Sequence, residues 1–314
     1  VNYNEDPGAP VAIGDIVITD VDNNETVTAT LTLQNTATGA LSSNDGAVYT
    51  PGTGVWTITD TVANVNTALA NLTFTPVANN DVDTTISVSI DDGNEDNSAA
   101  LSGTITLDVT PVDDAPTITS AATANFAENG TGTVIDVQST DPEGSTEGSG
   151  LTYSISGGVD QALFDIDTNT GELTFNAAPN FESAGDVGGD NVYNVQVQVS
   201  DGTNDVTQDI AVTVTDVNDA PTITSDGGGA TATVNAAENQ TAVTTVTATD
   251  EDVPAQTLTF SITGGADQSL FGITSGGVLT FNSARDFESR TDFDNDGVYE
   301  VEVTVTDDGT GTLT

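Results

Sequence analysis

The chain has 314 residues, of which 49 are acidic and two, Arg285 and Arg290, are basic, so its formal net charge is -47. Such a chain repels nucleic-acid phosphates and anionic membrane surfaces, and both are excluded as partners. It contains no Cys and no His, which excludes a disulfide framework and thiol chemistry. No apolar run reaches membrane-spanning length and no signal pattern opens the chain. Because its first residues look like the inside of a repeat, we expect a piece of a longer protein.

The first third, residues 1–115, is predicted to be a divergent β-module. Its one helical pattern, "TVANVNTALANL", predicts one or two turns. The next stretch, "TTISVSIDDG", alternates Ile86, Val88 and Ile90 with polar residues, and "GTITLDVT" supplies the strand that follows. Alternation with a period of two over β-branched residues is typical of half-buried strands.

Residues 116–220 and 221–314 are predicted to be two further modules that repeat one another. The stretches "AENGT", "LTYSISGGVDQALFDI" and "GELTFNAAPNFES" return as "AENQT", "LTFSITGGADQSLFGI" and "GVLTFNSARDFES". Alternating strands follow in both, "YNVQVQVSDG" and "YEVEVTVTDD", and "DIAVTVTD" of the second module has no counterpart in the third. The repeat predicts an all-β chain of three tandem β-sandwiches, the third truncated before its last strand.

Acidic residues recur at matching strand ends, and two acidic decapeptides, "TPVDDAPTIT" and "TDVNDAPTIT", separate the modules. Strand ends would meet at the poles of a sandwich, where like charges repel one another unless a cation joins them. Carboxylate and amide oxygens, without His or Cys, favour calcium over zinc or copper.

The motifs "AEN", "TDED", "VSDG" and "DVNDAP", with the hairpin "FDIDTNTGEL", resemble tandem cadherin repeats, strongly over residues 116–314 and moderately over 1–115. The resemblance implies Greek-key sandwiches set end to end as an extended rod, with three calcium ions between successive modules. It implies a first junction of Glu5, Asp81, Asp113, Asp114, Asp141, Glu143 and Asp201. It implies a second junction of Glu128, Glu182, Asp216, Asn218, Asp219, Asp250, Asp252 and Asp307. Each decapeptide is then a linker whose acids bind calcium and whose proline starts the next strand.

Two positions depart from the family pattern. Pro111 stands where Asp216 does, so the first junction has one carboxylate fewer, and Asn180 stands where the family has a second acid. Both departures lower the calcium affinity that we expect. The outer ends of the chain are expected to hold incomplete sites, at Asp20, Asp22 and Asp92 and at Glu238 and Glu288.

Three further loops carry calcium-like patterns. The stretch "DFDNDG" has the D-x-D-x-D-G form of a calcium loop through Asp292, Asp294 and Asp296, and its alternative is a solvated acidic hairpin. The matching "DVGGDN" of the second module resembles a calcium loop less closely. For "DIDTNTG", which also resembles a calcium loop, a plain hairpin turn is the favoured prediction. Trp56 and the Tyr and Phe residues lie in strand patterns and are expected in the core.

The composition, rich in Asp, Thr, Gly and Ala, resembles giant RTX-type, type I-secreted adhesins on the bacterial cell surface. The resemblance implies a calcium-rigidified extracellular extender that projects a distal binding domain, with neighbouring repeats of the same chain as partners. The alternative is a module that binds a glycan, a peptide or a second copy of itself. An enzyme is the least favoured hypothesis, because a carboxylate that holds calcium cannot serve as a general acid.

Overall fold

The computed structural model describes residues 1–14, 16–20, 25–93, 99–310 and 313. Asp22, one of the expected ligands at the outer end, lies outside the described residues. The chain forms two compact units. The first comprises Val1–Thr119, Ser139–Thr152 and Val199–Val206, and the second comprises Ser120–Gln138, Tyr153–Gln198 and Thr207–Thr314. The division into three modules at residues 115 and 220 stays a prediction.

The elements up to the first decapeptide are ten strands and one helix: β1 Asn2–Asn4, β2 Val11–Ala12, β3 Thr26–Leu33, β4 Gly39–Leu41, β5 Val48–Thr50, β6 Val55–Thr61, α1 Val62–Ala70, β7 Thr73–Pro76, β8 Thr84–Asp91, β9 Leu101–Thr110 and β10 Thr117–Ile118. Those up to the second decapeptide are β11 Thr123–Ala127, β12 Thr133–Asp136, β13 Ser139–Thr140, β14 Thr146–Glu147, β15 Gly150–Gly157, β16 Phe164–Ile166, β17 Glu172–Phe175, β18 Val192–Ser200 and β19 Asp205–Thr215. The rest are β20 Thr222–Ile223, β21 Ala242–Thr245, β22 Ala248–Thr249, β23 Thr259–Gly264, β24 Phe271–Ile273, β25 Val278–Phe281 and β26 Glu302–Thr306. Short 3-10 turns occupy Gln161–Leu163, Ser225–Gly227 and Gln268–Leu270. The all-β prediction is confirmed, and the described residues hold no helix long and apolar enough to cross a membrane.

The first unit contains a six-stranded sheet in the order β1-β9-β8-β3-β6-β5 and a three-stranded sheet in the order β2-β7-β4. Strand β3 shows why these residues form a half-buried strand, because its alternate side chains, from Val27 to Leu33, are buried while its threonines face outward. Trp56 and Phe74 lie in the core of this unit, as expected for Trp56. The predicted helical turns are confirmed as α1, which Thr61 caps by accepting from the Asn64 amide (3.4 Å).

The second unit contains two copies of one arrangement, which confirms the repeat in the sequence. Strand β17 pairs antiparallel with β12 and β16, and β25 pairs in the same way with β21 and β24. In each copy the register shifts once, between Thr133 and Ile135 and between Ala242 and Thr244. Strands β16 and β17 pair as the predicted hairpin.

The cores of the two copies repeat as well. Phe164 stacks on Phe175, whose ring meets Tyr193 edge-on at 5.1 Å. The third predicted module repeats this group with Phe271, Phe281 and Tyr299, the last two 5.0 Å apart. Equivalent aromatic side chains therefore fill equivalent places, and each contributes to the core beyond its buried area.

Two aromatic residues contradict the expectation that all Phe positions are core. Phe287 is 62% exposed and Phe293 is 79% exposed. Both lie in the segment between β25 and β26, where no strand alternation directs a side chain inward.

The alternating stretch of the third module is also shorter than predicted. Strand β26 begins at Glu302, although the pattern begins at Tyr299. In the described part of the chain β26 pairs with β23 alone, whereas β18 lies between β15 and β19. A strand with neighbours on both sides has more of its backbone groups fixed in ladders, which accounts for the longer β18.

Candidate metal centres

Carboxylates gather at five places in the described residues, each offering oxygen atoms that lie within 4.8 Å of one another. Three of the five groups contain residues that were predicted for the junctions. The groups are Glu5, Asp114 and Glu143; Glu128, Glu182 and Asp219; Glu182, Asp216 and Asp252; Glu238, Asp286 and Glu288; and Asp292, Asp294 and Asp296.

Glu128 anchors the second predicted junction. Strand β11 runs parallel to β19, with Ala127 opposite Thr215, so the residue after β11 lies beside the start of the linker. The carboxylate of Glu128 is 3% exposed and accepts the backbone N–H groups of Phe181 (2.7 Å) and Val217 (2.8 Å). One side chain therefore holds both the loop after β17 and the linker in place.

In each of the other predicted modules the equivalent glutamate makes one of these two contacts. Glu5, also 3% exposed, accepts the amide of Val112 (3.1 Å), and Glu238 accepts the amide of Phe287 (3.1 Å). The glutamate shared by the "NED" and "AEN" motifs therefore has a structural role that is independent of any metal. The buried carboxylates of Glu5 and Glu128 are stabilised by these backbone donors.

Glu182 is the shared member of the two groups at the second junction. Both of its carboxylate oxygens are buried, and neither has a hydrogen-bond partner in the described part of the chain. Burial, together with the neighbouring charges of Glu128 and Asp216, raises the pKa of Glu182 to about 7. A buried carboxylate without donors is unfavourable unless a proton or a cation compensates it.

The remaining acids of this junction lie around that pair of groups. Asp250 accepts the Asp252 amide with one oxygen (3.1 Å), and its other oxygen is buried with no partner among residues that the structure describes. Asp252 is 5% exposed and accepts the Asp219 amide at 3.2 Å. Burial, followed by the charge of Glu128, raises the pKa values of Asp216 and Asp219.

Asn218 and Asp307 are joined to one another, and Gln256 is a residue that the sequence analysis missed. The Asn218 amide donates to Asp307 (3.2 Å), and Gln256 Nε2 donates to Asn218 (2.6 Å) and to Asp252 (2.8 Å). The position of Gln256, four residues after Asp252 in an irregular segment, gave no sequence signal. A Cβ at Gly309 would overlap the Asn218 side-chain oxygen, so the "DDG" after β26 allows this close approach.

The first predicted junction has one group, formed by Glu5, Asp114 and Glu143. One oxygen each of Asp114, Asp141 and Asp201 is buried and lacks a partner within the described ranges. The other oxygens of the last two accept backbone amides, Asp141 from Glu143 (3.1 Å) and Asp201 from Thr203 and Asn204 (2.7 Å each). Burial, then the charges of Asp141 and Asp114, raises the pKa of Glu143.

Four predicted ligands of the first junction lie outside that group: Asp141 and Asp201, whose hydrogen bonds are given above, and Asp81 and Asp113. Asp113 accepts the side-chain amide of Asn204 (3.1 Å), and Asp81 is exposed in the loop after β7. Their role as ligands stays a prediction. At the far end of the chain Glu238 and Glu288 come together with Asp286, which occupies the position of Asn180 in the second module. All three side chains are exposed, and the expected incompleteness of that site also stays a prediction.

These arrangements fit a hard divalent cation. The ligand atoms are carboxylate and amide oxygens, and several of the carboxylate oxygens are buried with no hydrogen-bond donor among the described residues. Calcium takes six to eight such oxygens in flexible geometry. In the second unit Glu128, Glu182, Asp216, Asp219 and Asp252 would hold it, with Asp250 beside them. When bound, the ion supplies positive charge to the carboxylates and joins segments of the chain that otherwise repel one another.

Residues 122–215 match the family model of the cadherin domain. Halomucin from Haloquadratum walsbyi is 37% identical over 94 residues, which are 30% of this chain and 1% of that protein. Among solved structures, the protocadherin gammaB7 EC3-6 fragment has a TM-score of 0.44 and 21% identity, and the match covers 88% of this chain and 65% of the fragment. Mouse cadherin-23 EC22-24 has a TM-score of 0.39 and 20% identity, with 100% of this chain and 90% of that chain covered. Because both TM-scores are below 0.5, the all-β assignment rests on the strand pairing of this chain itself.

Proposed function

We propose that this chain is a calcium-rigidified extender segment of a large extracellular adhesin, which holds a distal binding domain away from the cell surface. The observation that carries the proposal is the gathering of Glu182 with acids of the linker and of the following module. Glu182 comes from the second predicted module, Asp216 and Asp219 from the linker, and Asp252 from the third. A cation bound there would fix three successive segments of chain to one another.

The magnitude of the repulsion supports a joining cation. Two unit charges 4.8 Å apart, the upper limit for oxygens of one group, repel by about 3.5 kcal/mol at an effective dielectric of ~20 and by about 1 kcal/mol in bulk water. Three carboxylates in a group make three such pairs. The sum is comparable with the stability of a whole domain, so the neighbouring modules would separate without calcium.

The matches to known proteins support the part of this proposal that places the chain in a long, repetitive adhesion protein. The cadherin domain model covers residues 122–215, and the halomucin stretch is 1% of a very long protein, as expected if this chain is one part of a repetitive array. The partners that we propose are neighbouring repeats of the same chain. The bacterial source and the RTX-type, type I-secreted class belong to the proposal as well, with the composition as their support.

Small-angle scattering with calcium and with a chelator tests this function. A sandwich with strands of ten to twelve residues is roughly 40 Å long, so three in line give a maximum dimension of roughly 120 Å. We expect that dimension in calcium, and a shorter, more flexible particle after chelation. The triple variant E128Q/E182Q/D219N should bend in calcium, while E172Q, with an exposed carboxylate outside the groups, should stay extended. An unchanged scattering profile after chelation would refute the stiff-spacer function.

One observation favours the alternative, a binding module. Phe287, Phe293 and Val298 are all more than half exposed in one segment, and Arg290 lies over the Phe287 ring at 5.0 Å. Exposed aromatic side chains of this kind are enriched where proteins bind partners. Sedimentation of the native chain and of F293S would show self-association that depends on this segment, whereas two monomeric samples would exclude a homophilic role for it.

A further inference from the structure

The loop between β25 and β26 carries a carboxylate group that is separate from the predicted junctions. Asp292, Asp294 and Asp296 offer oxygens within 4.8 Å of one another. Asp292 is 4% exposed, and the other two side chains are exposed. The buried Asp267 orients the loop, because its two oxygens accept the amides of Phe293 (2.7 Å) and Glu300 (2.9 Å).

The buried carboxylate in this loop has an open acceptor. One oxygen of Asp292 accepts the Gly297 amide (3.1 Å), while Oδ1 is buried and has no partner in the part of the chain that the structure describes. Asp292 therefore presents a buried carboxylate oxygen that no described residue satisfies, which is unfavourable unless a cation compensates it.

The second module contains the same loop without this open acceptor. Its left-handed residues, Gly189 (φ 66°) and Asn191 (φ 61°), match Asn295 (φ 61°) and Gly297 (φ 87°). There the buried Asp186 accepts the amides of Asp190 (3.1 Å) and Asn191 (3.0 Å), so both of its oxygens are used. Of the three acids in the 292–297 loop, only Asp294 lacks an acidic counterpart, since Gly188 occupies the equivalent position.

We propose that the 292–297 loop is a calcium site in its own right, within one module and independent of the junction groups. Asp292, Asp294 and Asp296 take the first, third and fifth positions of a D-x-D-x-D-G loop, and Gly297 takes the sixth, where the chain turns sharply. The nearby cation Arg290 donates to the backbone oxygens of Asn295 (3.4 Å) and Asp296 (3.0 Å). These bonds engage carbonyl oxygens, which leaves the three carboxylates available to the metal.

The role of the ion would be to fix the segment that leads into β26. The unsatisfied oxygen of Asp292 would gain a ligand, and the exposed carboxylates of Asp294 and Asp296 would be drawn onto the same ion. In the second module, backbone amides already satisfy Asp186, so that loop needs no metal. The two loops therefore form an internal pair, one with the site and one without it.

Calcium counting by equilibrium dialysis on the whole chain tests the site, because one substitution removes the acid that the second-module loop lacks. D294G gives the 292–297 loop the two acids of its counterpart and should lose one bound calcium per chain.

Two controls separate this site from the junctions and from the fold. D219A should lose calcium at the second junction and keep the loop ion, so that D219A/D294G loses more than either single variant. Asp294 is exposed, and the circular dichroism of D294G in chelator should equal that of the native chain. If D294G and D292N both bind as many calcium ions as the native chain at millimolar calcium, the loop is a hairpin without a metal site and the proposal is overturned.

Discussion

Replacing Glu182 by glutamine should change the stability of the chain in opposite directions with and without calcium. In chelator the native chain holds a buried carboxylate that has no donor among the described residues and lies within 4.8 Å of two other acids in each of two groups. Glutamine removes that charge and keeps the size of the side chain. The calcium-free variant should therefore be more stable than the native chain.

The size of this gain can be bounded from the structure. The repulsion between two such carboxylates is about 1 kcal/mol in bulk water and about 3.5 kcal/mol at an effective dielectric of ~20. The rise of the Glu182 pKa to about 7 points to the upper part of that range, and partial exposure to solvent reduces it. We expect a gain of about 1–3 kcal/mol above pH 7, which raises the midpoint of thermal unfolding by several degrees.

In calcium the sign reverses, because glutamine is a weaker ligand at a position that serves both groups. The stabilisation by calcium, the difference between unfolding midpoints in millimolar calcium and in chelator, should shrink in E182Q. E172Q removes an exposed carboxylate from β17 and should leave both midpoints near those of the native chain. If E182Q lowers the midpoint in chelator, or leaves the calcium-induced shift intact, the assignment of Glu182 as an uncompensated ligand is wrong.

Three further predictions concern pH, the two junctions and a buried aspartate. The pKa of Glu182 is higher in the folded chain than its value of about 4.5 in the unfolded chain. The calcium-free chain should therefore lose stability as the pH rises from about 4.5 to 7. In urea titrations, the unfolding free energy of E182Q should fall less steeply with pH than that of the native chain. In calorimetry, P111D should raise the calcium affinity of the first junction roughly tenfold, because it adds a carboxylate. D219A should lower the calcium affinity of the second junction roughly tenfold, because it removes one. Equal affinities in the native chain and the variants would contradict this. Asp160 is 2% exposed and accepts the amides of Val187 and Asn194 (2.7 Å each). In urea unfolding, D160A should destabilise the second unit by about 3 kcal/mol, and D160N should destabilise it by less. Equal losses in the two variants would exclude the charge of Asp160 as the cause.

The sequence by itself determined the strands and the chemistry of the candidate sites. A two-residue period is imposed by the pleat of a strand, so the alternation around Tyr193 and Val197 was sufficient to predict β18. The absence of Cys and His left oxygen as the donor, which restricts the metal whatever the fold. The repeat also related the modules to one another, and the matching aromatic groups of the second unit bear this out.

Only the tertiary structure decided which acids are satisfied by the chain and which are left open. Glu128 and Glu182 look alike in the sequence, yet among the described residues backbone amides reach both oxygens of Glu128 and neither oxygen of Glu182. The roles of Gln256 and Asp267 could be recognised only from their hydrogen bonds in the structure. Their local sequence does not indicate which distant carboxylates and amides they bind. Spacing along a chain fixes the direction of a side chain, but its partners come from segments far away in sequence, and these are brought together only by folding.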